Sequence, residues 1–272
     1  MDQTAHAPRL FVLAGTNGAG KSSIGGAMIR ACGAQYFNPD EAAARIRQAQ
    51  PHLSVTQANS AAWHEGKRLL QHAIAQRLDH NFETTLGGQS FARLLKQAAE
   101  AGHEVRIWYV GLASPEHHLA RVKARVRKGG HDIPEADIRR RFDQSRLQLI
   151  QLLPHLAELR VYDNTDEADP HLGRAPKPRL VLHWQAGQVL APADATAMAQ
   201  TPAWVKPVVM AALKAALKGG GKAGAQAGAK AGAGAEAVAR DKSATQPAPQ
   251  PNLKPVSAAG VRPKQSRPAK SP

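Results

Sequence analysis

The stretch Gly15-Thr16-Asn17-Gly18-Ala19-Gly20-Lys21-Ser22 constrains this chain more than any other. It follows an apolar run at residues 10–14 and precedes a segment expected to be helical from about residue 21 to 31. A G-x-x-x-x-G-K-S spacing between a buried strand and a helix lets the backbone curl, so that successive N–H groups face one anion. The helix start adds its dipole, Lys21 adds a point charge, and the Ser22 hydroxyl can reach Mg²⁺. A glycine-rich turn can also serve close packing alone. With lysine and serine both in register, the stretch reads instead as a site for a nucleoside triphosphate, contacted from Gly15 through Ser22 and on to Ser23.

The rest of the first two thirds alternates strand and helix patterns. Strands are expected at residues 10–15, 35–38, 81–86, 104–112 and 158–163, with a terminal hairpin at 180–184 and 188–190 around Ala186-Gly187. Helices are expected at 41–50, 56–78, 90–101, 115–128 and 134–156. Ser114 and Pro115 have the chemistry of a helix cap and first turn, and Gly102 and Gly129-Gly130 that of stops. Strands separated by helices require crossover connections, so the sheet is mainly parallel and covered on both faces. The expected fold is α/β, a P-loop three-layer sandwich.

The domain boundary follows composition. Residues 1–192 carry the large side chains, and residues 193–218 contain one separate amphipathic helix. Residues 219–272 are rich in Ala, Gly, Pro and Lys and are expected to be a disordered basic tail. The formal charge of +15 is concentrated there: residues 193–272 hold 12 Lys/Arg against 3 Asp/Glu. Such a tail either solubilises the protein or makes weak, salt-sensitive contact with nucleic acid. A single cysteine, Cys32, excludes an intrachain disulfide and suits a reducing compartment. Residues 1–8 lack the pattern of a signal peptide, and no apolar run is long enough to span a membrane, so the expected location is cytoplasmic.

Candidate chemistry lies outside the loop. There is no N-K-x-D segment for reading guanine and no ABC-type signature, and no apolar strand ends in a plain aspartate in the middle of the sheet. The remaining pattern is a small kinase, whose working groups gather at strand carboxyl ends. Asp40, after the second expected strand, either accepts a proton from an acceptor hydroxyl or caps the following helix. Glu83 is an acid within a short strand and should face the open end of the sheet, because burying it unpaired is costly. Arg121 and Arg125 share a helix face. With Lys123, Arg127, Lys128 and Arg139-Arg140-Arg141 they flank Gly129-Gly130-His131, as a basic lid over a triphosphate would. The bland alternative for these charges is a solvated face.

Four segments resemble the zeta-toxin family of P-loop kinases: residues 14–22, Asn38-Pro39-Asp40-Glu41, Phe82-Glu83-Thr84-Thr85-Leu86, and 125–131 followed by 138–142. The resemblance implies an ATP- and Mg²⁺-dependent kinase of the toxin–antitoxin kind; characterised members phosphorylate a sugar hydroxyl of UDP-N-acetylglucosamine. It implies Asp40 as base, Lys21 and Ser22 on phosphate and Mg²⁺, and Arg125 and Arg140 as phosphate clamps. It also implies that Glu83, Thr84 and Asn38 contact substrate, and that any antitoxin is a separate protein. Two other readings stay open: a kinase for another hydroxyl, such as a nucleic-acid end, and a nucleic-acid-binding protein switched by ATP.

Overall fold

The computed structural model describes residues 6–22, 24, 36–166 and 178–228, with side chains to Lys218. Residues 1–230 form one compact unit; the second unit, 231–272, lies outside the described residues, as do Ser23, Cys32 and most of the helix expected after Lys21. Six strands form one sheet: β1 (Arg9–Ala14), β2 (His80–Thr84), β3 (Glu104–Gly111), β4 (Glu158–Asp163), β5 (Arg179–Gln185) and β6 (Gln188–Ala191). Their order is β2-β1-β3-β4-β5-β6. The first four run parallel, and β5 and β6 are the expected antiparallel edge hairpin. Strands buried on both faces carry unbroken apolar runs. Leu10, Val12, Leu13, Val105, Ile107, Tyr109, Leu159 and Val161 are accordingly almost inaccessible.

Helices α1 (Pro39–Ala49), α2 (Val55–Ala75), α3 (Gln89–Glu100), α4 (Pro115–Arg127) and α5 (Glu135–Leu152) connect or cover these strands. A capping box between Ser54 and Gln57 starts α2. A short α6 (Ala195–Ala199) and a longer α7 (Lys206–Gly228) follow the hairpin.

Three expectations differ from the structure. The segment expected as a strand at 35–38 makes a single parallel bridge, Phe37 to Phe82 of β2, among the described residues. It therefore lies outside β2 and is not beside β1. Helix α1 begins at Pro39, with Asn38 as its cap: the Asn38 Oδ1 accepts from the backbone N–H groups of Asp40 at 2.9 Å and Glu41 at 3.3 Å. Asp40 is thus free of the capping role. Finally, the helix expected as an appendage belongs to the main core. Val208, Val209 and Ala212, with Trp204 and Val205 just before α7, are buried in one cluster with β1, β3, β4 and β5. That helix continues past Gly219 to Gly228.

β1 has β2 on one side and β3 on the other, and the chain crosses over both ways from it. In parallel sheets the crevice at such a switch, beyond the strand carboxyl ends, is where ligands bind.

Candidate active site

The glycine-rich loop leaves β1 at this crevice. Gly15 has φ 142°, and a Cβ there would come within 2.1 Å of the Val110 carbonyl oxygen, so only glycine fits. Three contacts from distant elements hold the loop from outside. Asn164, after β4, donates through Nδ2 to the Ala19 carbonyl at 2.8 Å. Arg121 of α4 in turn donates to the Asn164 carbonyl at 2.7 Å. His118, also on α4, sits with Nδ1 2.9 Å from the Asn17 carbonyl oxygen. A carbonyl only accepts, so Nδ1 carries the proton. Burial, reinforced by the nearby Lys21, Arg121 and His117 charges, pushes the His118 pKa down to about 4, and the ring is neutral near pH 7.

Inside the loop, Lys21 is buried and pairs with Glu83 at 3.5 Å. Glu83 stands on β2 opposite Leu13 of β1. It is buried as expected of an acid with partners: it accepts from the Ser22 hydroxyl at 3.0 Å and from Asn38 Nδ2 at 3.2 Å. Asn38 is buried as well and uses both ends of its amide, one on α1 and one on Glu83. Thr84 is buried, and its hydroxyl accepts from the Leu86 backbone N–H at 3.1 Å, shaping the turn after β2.

Asp40, half-exposed at the first turn of α1, faces Arg125 near the end of α4 and His131 of the glycine segment that follows. Arg125 Nη1 lies 3.7 Å and His131 Nε2 3.8 Å from its carboxylate. Arg125 also donates to the His131 carbonyl at 2.9 Å, closing the Gly129-Gly130 loop back upon α4. Helix α5 places its arginines differently from one another. Arg139 pairs with Glu116 and Glu135 on the surface. Arg140 reaches the Gly87 carbonyl at 3.2 Å and Asp137 at 2.9 Å. Arg141 reaches the phosphate loop, donating to Asn17 Oδ1 at 2.7 Å, with Asp137 at 3.1 Å on its other side. Burial draws its pKa below the usual arginine value, with the Asp137 and Asp40 carboxylates opposing that shift. The Arg141 side chain packs so closely on Gly87 that a Cβ there would lie 2.5 Å from its Cγ.

Two adjoining cavities result. One, of 350 Å³, lies over the loop, with Lys21, Ser22, Arg121 and Arg125 among its walls. The other, of 230 Å³, is walled by Phe37, Asn59, Trp63, Phe91, Ile133 and Arg141. Asn17, Asp40 and Glu83 line both. Sequence patterns pointed to Lys21, Ser22, Asp40, Glu83 and Arg125, and the structure brings all five to one place. They did not point to His118, Asn164 or Trp63. His118 and Trp63 sit on amphipathic helices where nothing local sets them apart, and Asn164, directly after β4, belongs to no motif.

The zeta-toxin family model matches residues 1–172. A protein of Haemophilus influenzae (strain ATCC 51907 / DSM 11121 / KW20 / Rd), described only as uncharacterized, is 35% identical over 128 residues, which is 47% of this chain and 88% of that protein. Among solved structures, an AvrRxo1-ORF1:AvrRxo1-ORF2 complex with sulphate ions aligns with a TM-score of 0.55 at 17% identity, covering 72% of this chain and 64% of the other. The same complex with ATP gives 0.53 at 18% identity, covering 67% and 60%. The chain thus spans less than two thirds of the length of these structural relatives, and at such identities the likeness is one of fold. The family model covers well over half of the sequence, and its span takes in the glycine-rich loop, Asp40, Glu83 and the arginines of α4 and α5: the chain belongs to the zeta-toxin family of P-loop kinases.

Proposed function

We propose that this protein transfers the γ-phosphoryl group of ATP to a hydroxyl of a small molecule, a nucleotide sugar of the UDP-N-acetylglucosamine type, as the toxin of a toxin–antitoxin pair with a separate antitoxin. The observation that carries the reading is the pair of cavities meeting at Asn17, Asp40 and Glu83. The cavity over the loop takes the donor, with its phosphates on the loop N–H groups and Lys21. The second cavity takes the acceptor: its aromatic wall of Trp63 and Phe91 suits a flat base or sugar face, and Arg141 suits a phosphate.

Asp40, at the junction, accepts the proton as the acceptor oxygen bonds to the γ-phosphorus and the bond to the ADP oxygen breaks. Little covalent work falls to the protein in such a transfer, so positioning and charge stabilisation dominate. Arg125 and Arg141 supply positive charge from two sides. Arg140, bound to the Gly87 carbonyl, acts as a positioning residue for the turn after β2. The residues present fit a magnesium ion, since the Ser22 hydroxyl lies at the end of the loop beside a buried carboxylate. When bound there through Ser22, Mg²⁺ neutralises charge on the phosphate oxygens.

The test is to incubate the full chain with γ-labelled ATP and a panel of nucleotide sugars, with polynucleotide ends as a separate arm. Label on a nucleotide sugar is expected. Label on polynucleotide ends alone would reject the acceptor. In cells, expression should arrest growth, and Lys21→Ala should relieve the arrest; persistent arrest with that variant would reject kinase-dependent toxicity.

A further inference from the structure

We infer that His131 is a second ligand of the acceptor hydroxyl, its Nε2–H orienting the oxygen that Asp40 deprotonates; this rests on the reading of the second cavity as the acceptor site. The chain reaches this position by a tight return. Gly129 takes φ 85°, and the Gly130 N–H bonds to the Arg125 carbonyl at 3.0 Å, folding the segment back over the last turn of α4. A Cβ on Gly130 would lie 2.6 Å from Arg125 Cγ and 3.1 Å from its carbonyl oxygen, so a larger residue has no room. Arg125 grips His131 through the main chain, donating to its carbonyl at 2.9 Å, while the contact with Nε2 is longer, 3.4 Å. The closure of the turn therefore does not depend on the imidazole. That ring is 26% exposed and lines the second cavity beside Asp40, whereas Arg125 lines the cavity over the loop.

His131 Nε2 stands 3.8 Å from Asp40 Oδ1. The two are too far apart to bond to each other, but one oxygen fits between them at about 2.8 Å from each. A hydroxyl placed there uses every valence of its oxygen. Its proton goes to Asp40, one lone pair attacks the γ-phosphorus, and the other accepts from the Nε2–H of His131. The carboxylate beside the ring favours the tautomer with its proton on Nε2. As the new O–P bond forms, the bond from the γ-phosphorus to the ADP oxygen breaks and ADP keeps the electron pair. His131 ends with the proton it began with. One bond to Asp40 would leave the hydroxyl free to swing; a second, from His131, fixes the direction of the attacking lone pair. Alignment of this kind carries much of the rate in phosphoryl transfer, where the protein has little covalent work to do.

The experiment gives the full chain γ-labelled ATP and UDP-N-acetylglucosamine, and compares His131→Ala and His131→Gln with wild type. His131→Ala should lower kcat about 10–100-fold, the effect of misaligned reacting atoms. Calorimetric ATP affinity should be unchanged, because His131 is not a wall of the cavity over the loop. His131→Gln presents an amide N–H in place of Nε2–H and should recover much of the rate. Free imidazole should restore part of the activity of His131→Ala, a response that a merely structural ring would not give. Wild-type kcat in His131→Ala would overturn the role of His131. So would equal losses in both variants with no rescue by imidazole. Wild type that labels no nucleotide sugar would overturn the acceptor reading itself, and the role of His131 with it.

Discussion

Arg141 Nη1 donates to Asn17 Oδ1 across 2.7 Å, tying the middle of α5 to the tip of the phosphate loop. Its neighbour Arg140 is more than half exposed and holds the Gly87 carbonyl, away from the cavity over the loop. The two arginines, adjacent in sequence, therefore have different consequences when removed.

Arg141→Ala should lower kcat/KM for phosphoryl transfer by about 10²–10³, the range seen when one preorganised donor to developing charge is lost. Arg141→Lys should recover only part of this, because a single ammonium does not reproduce the planar fork that joins Asn17 to Asp137. Arg140→Ala should cost much less. Steady-state kinetics on the three variants separates the assignments, and a larger loss at Arg140 would reverse them.

Asp40→Asn should reduce kcat by about 10²–10⁴, the usual contribution of a positioned base. ATP affinity should change little, because among the described residues the ion-pair partners of Asp40 are Arg125 and His131, at 3.7 and 3.8 Å, and not residues of the loop. Calorimetric ATP binding alongside activity tests this. A folded variant that no longer binds ATP would show that Asp40 serves the donor.

Trp63 lies on the wall of the second cavity, 38% exposed and edge-on to Phe91 with ring centroids 6.0 Å apart. Trp63→Ala should raise the acceptor KM about tenfold by removing stacking area, and leave the ATP KM unchanged. Equal effects on both substrates would mean that the ring supports the fold and not the acceptor.

His118 gives the molecule a pH dependence. Its folded pKa is lowered to about 4 from an ordinary 6.5, so the folded state favours the neutral ring. Above pH 6.5 both folded and unfolded chains are neutral at this position, and its full contribution is present. As pH falls from about 6.5 to 4 the unfolded chain takes up the proton first, and up to about 3 kcal/mol of stability is lost. His118→Asn retains a donor toward the Asn17 carbonyl but does not titrate. The melting temperature of wild type should therefore fall more steeply than that of the variant across this window. Parallel curves would show that the ring is not held neutral.

Much of this architecture was readable locally. The loop announces itself because strand, glycines, lysine and serine must be contiguous to wrap one phosphate chain. The run from Val105 to Val110 reads as a strand, α2 reads from the 3.6-residue spacing of its apolar face, and Gly102 marks the end of α3. Asp40 stood out as an acid after an expected strand, and Glu83 as an acid within one. The second expected strand was overstated: its apolar character comes from Phe37, which packs near Gly66 of α2 while making one bridge to β2. The segment from Trp204 into the helix beginning at Lys206 looked separable because its partners, such as Tyr109 and Gly111 against Trp204, lie about a hundred residues earlier.

The sequence by itself determined the class of fold, the phosphate loop and the kinds of charge around it, because each is encoded by residues close together in the chain. Only the tertiary structure decided which of those charges meet. Successive residues on a helix point about 100° apart, so whether Arg140 or Arg141 faces Asn17 depends on how α5 is rotated against the sheet. Glu83 meets Ser22 because β2 lies beside β1, and His118 meets the loop because α4 packs below it. Strand order and helix phase are set by burying the whole core at once, and no local pattern contains them.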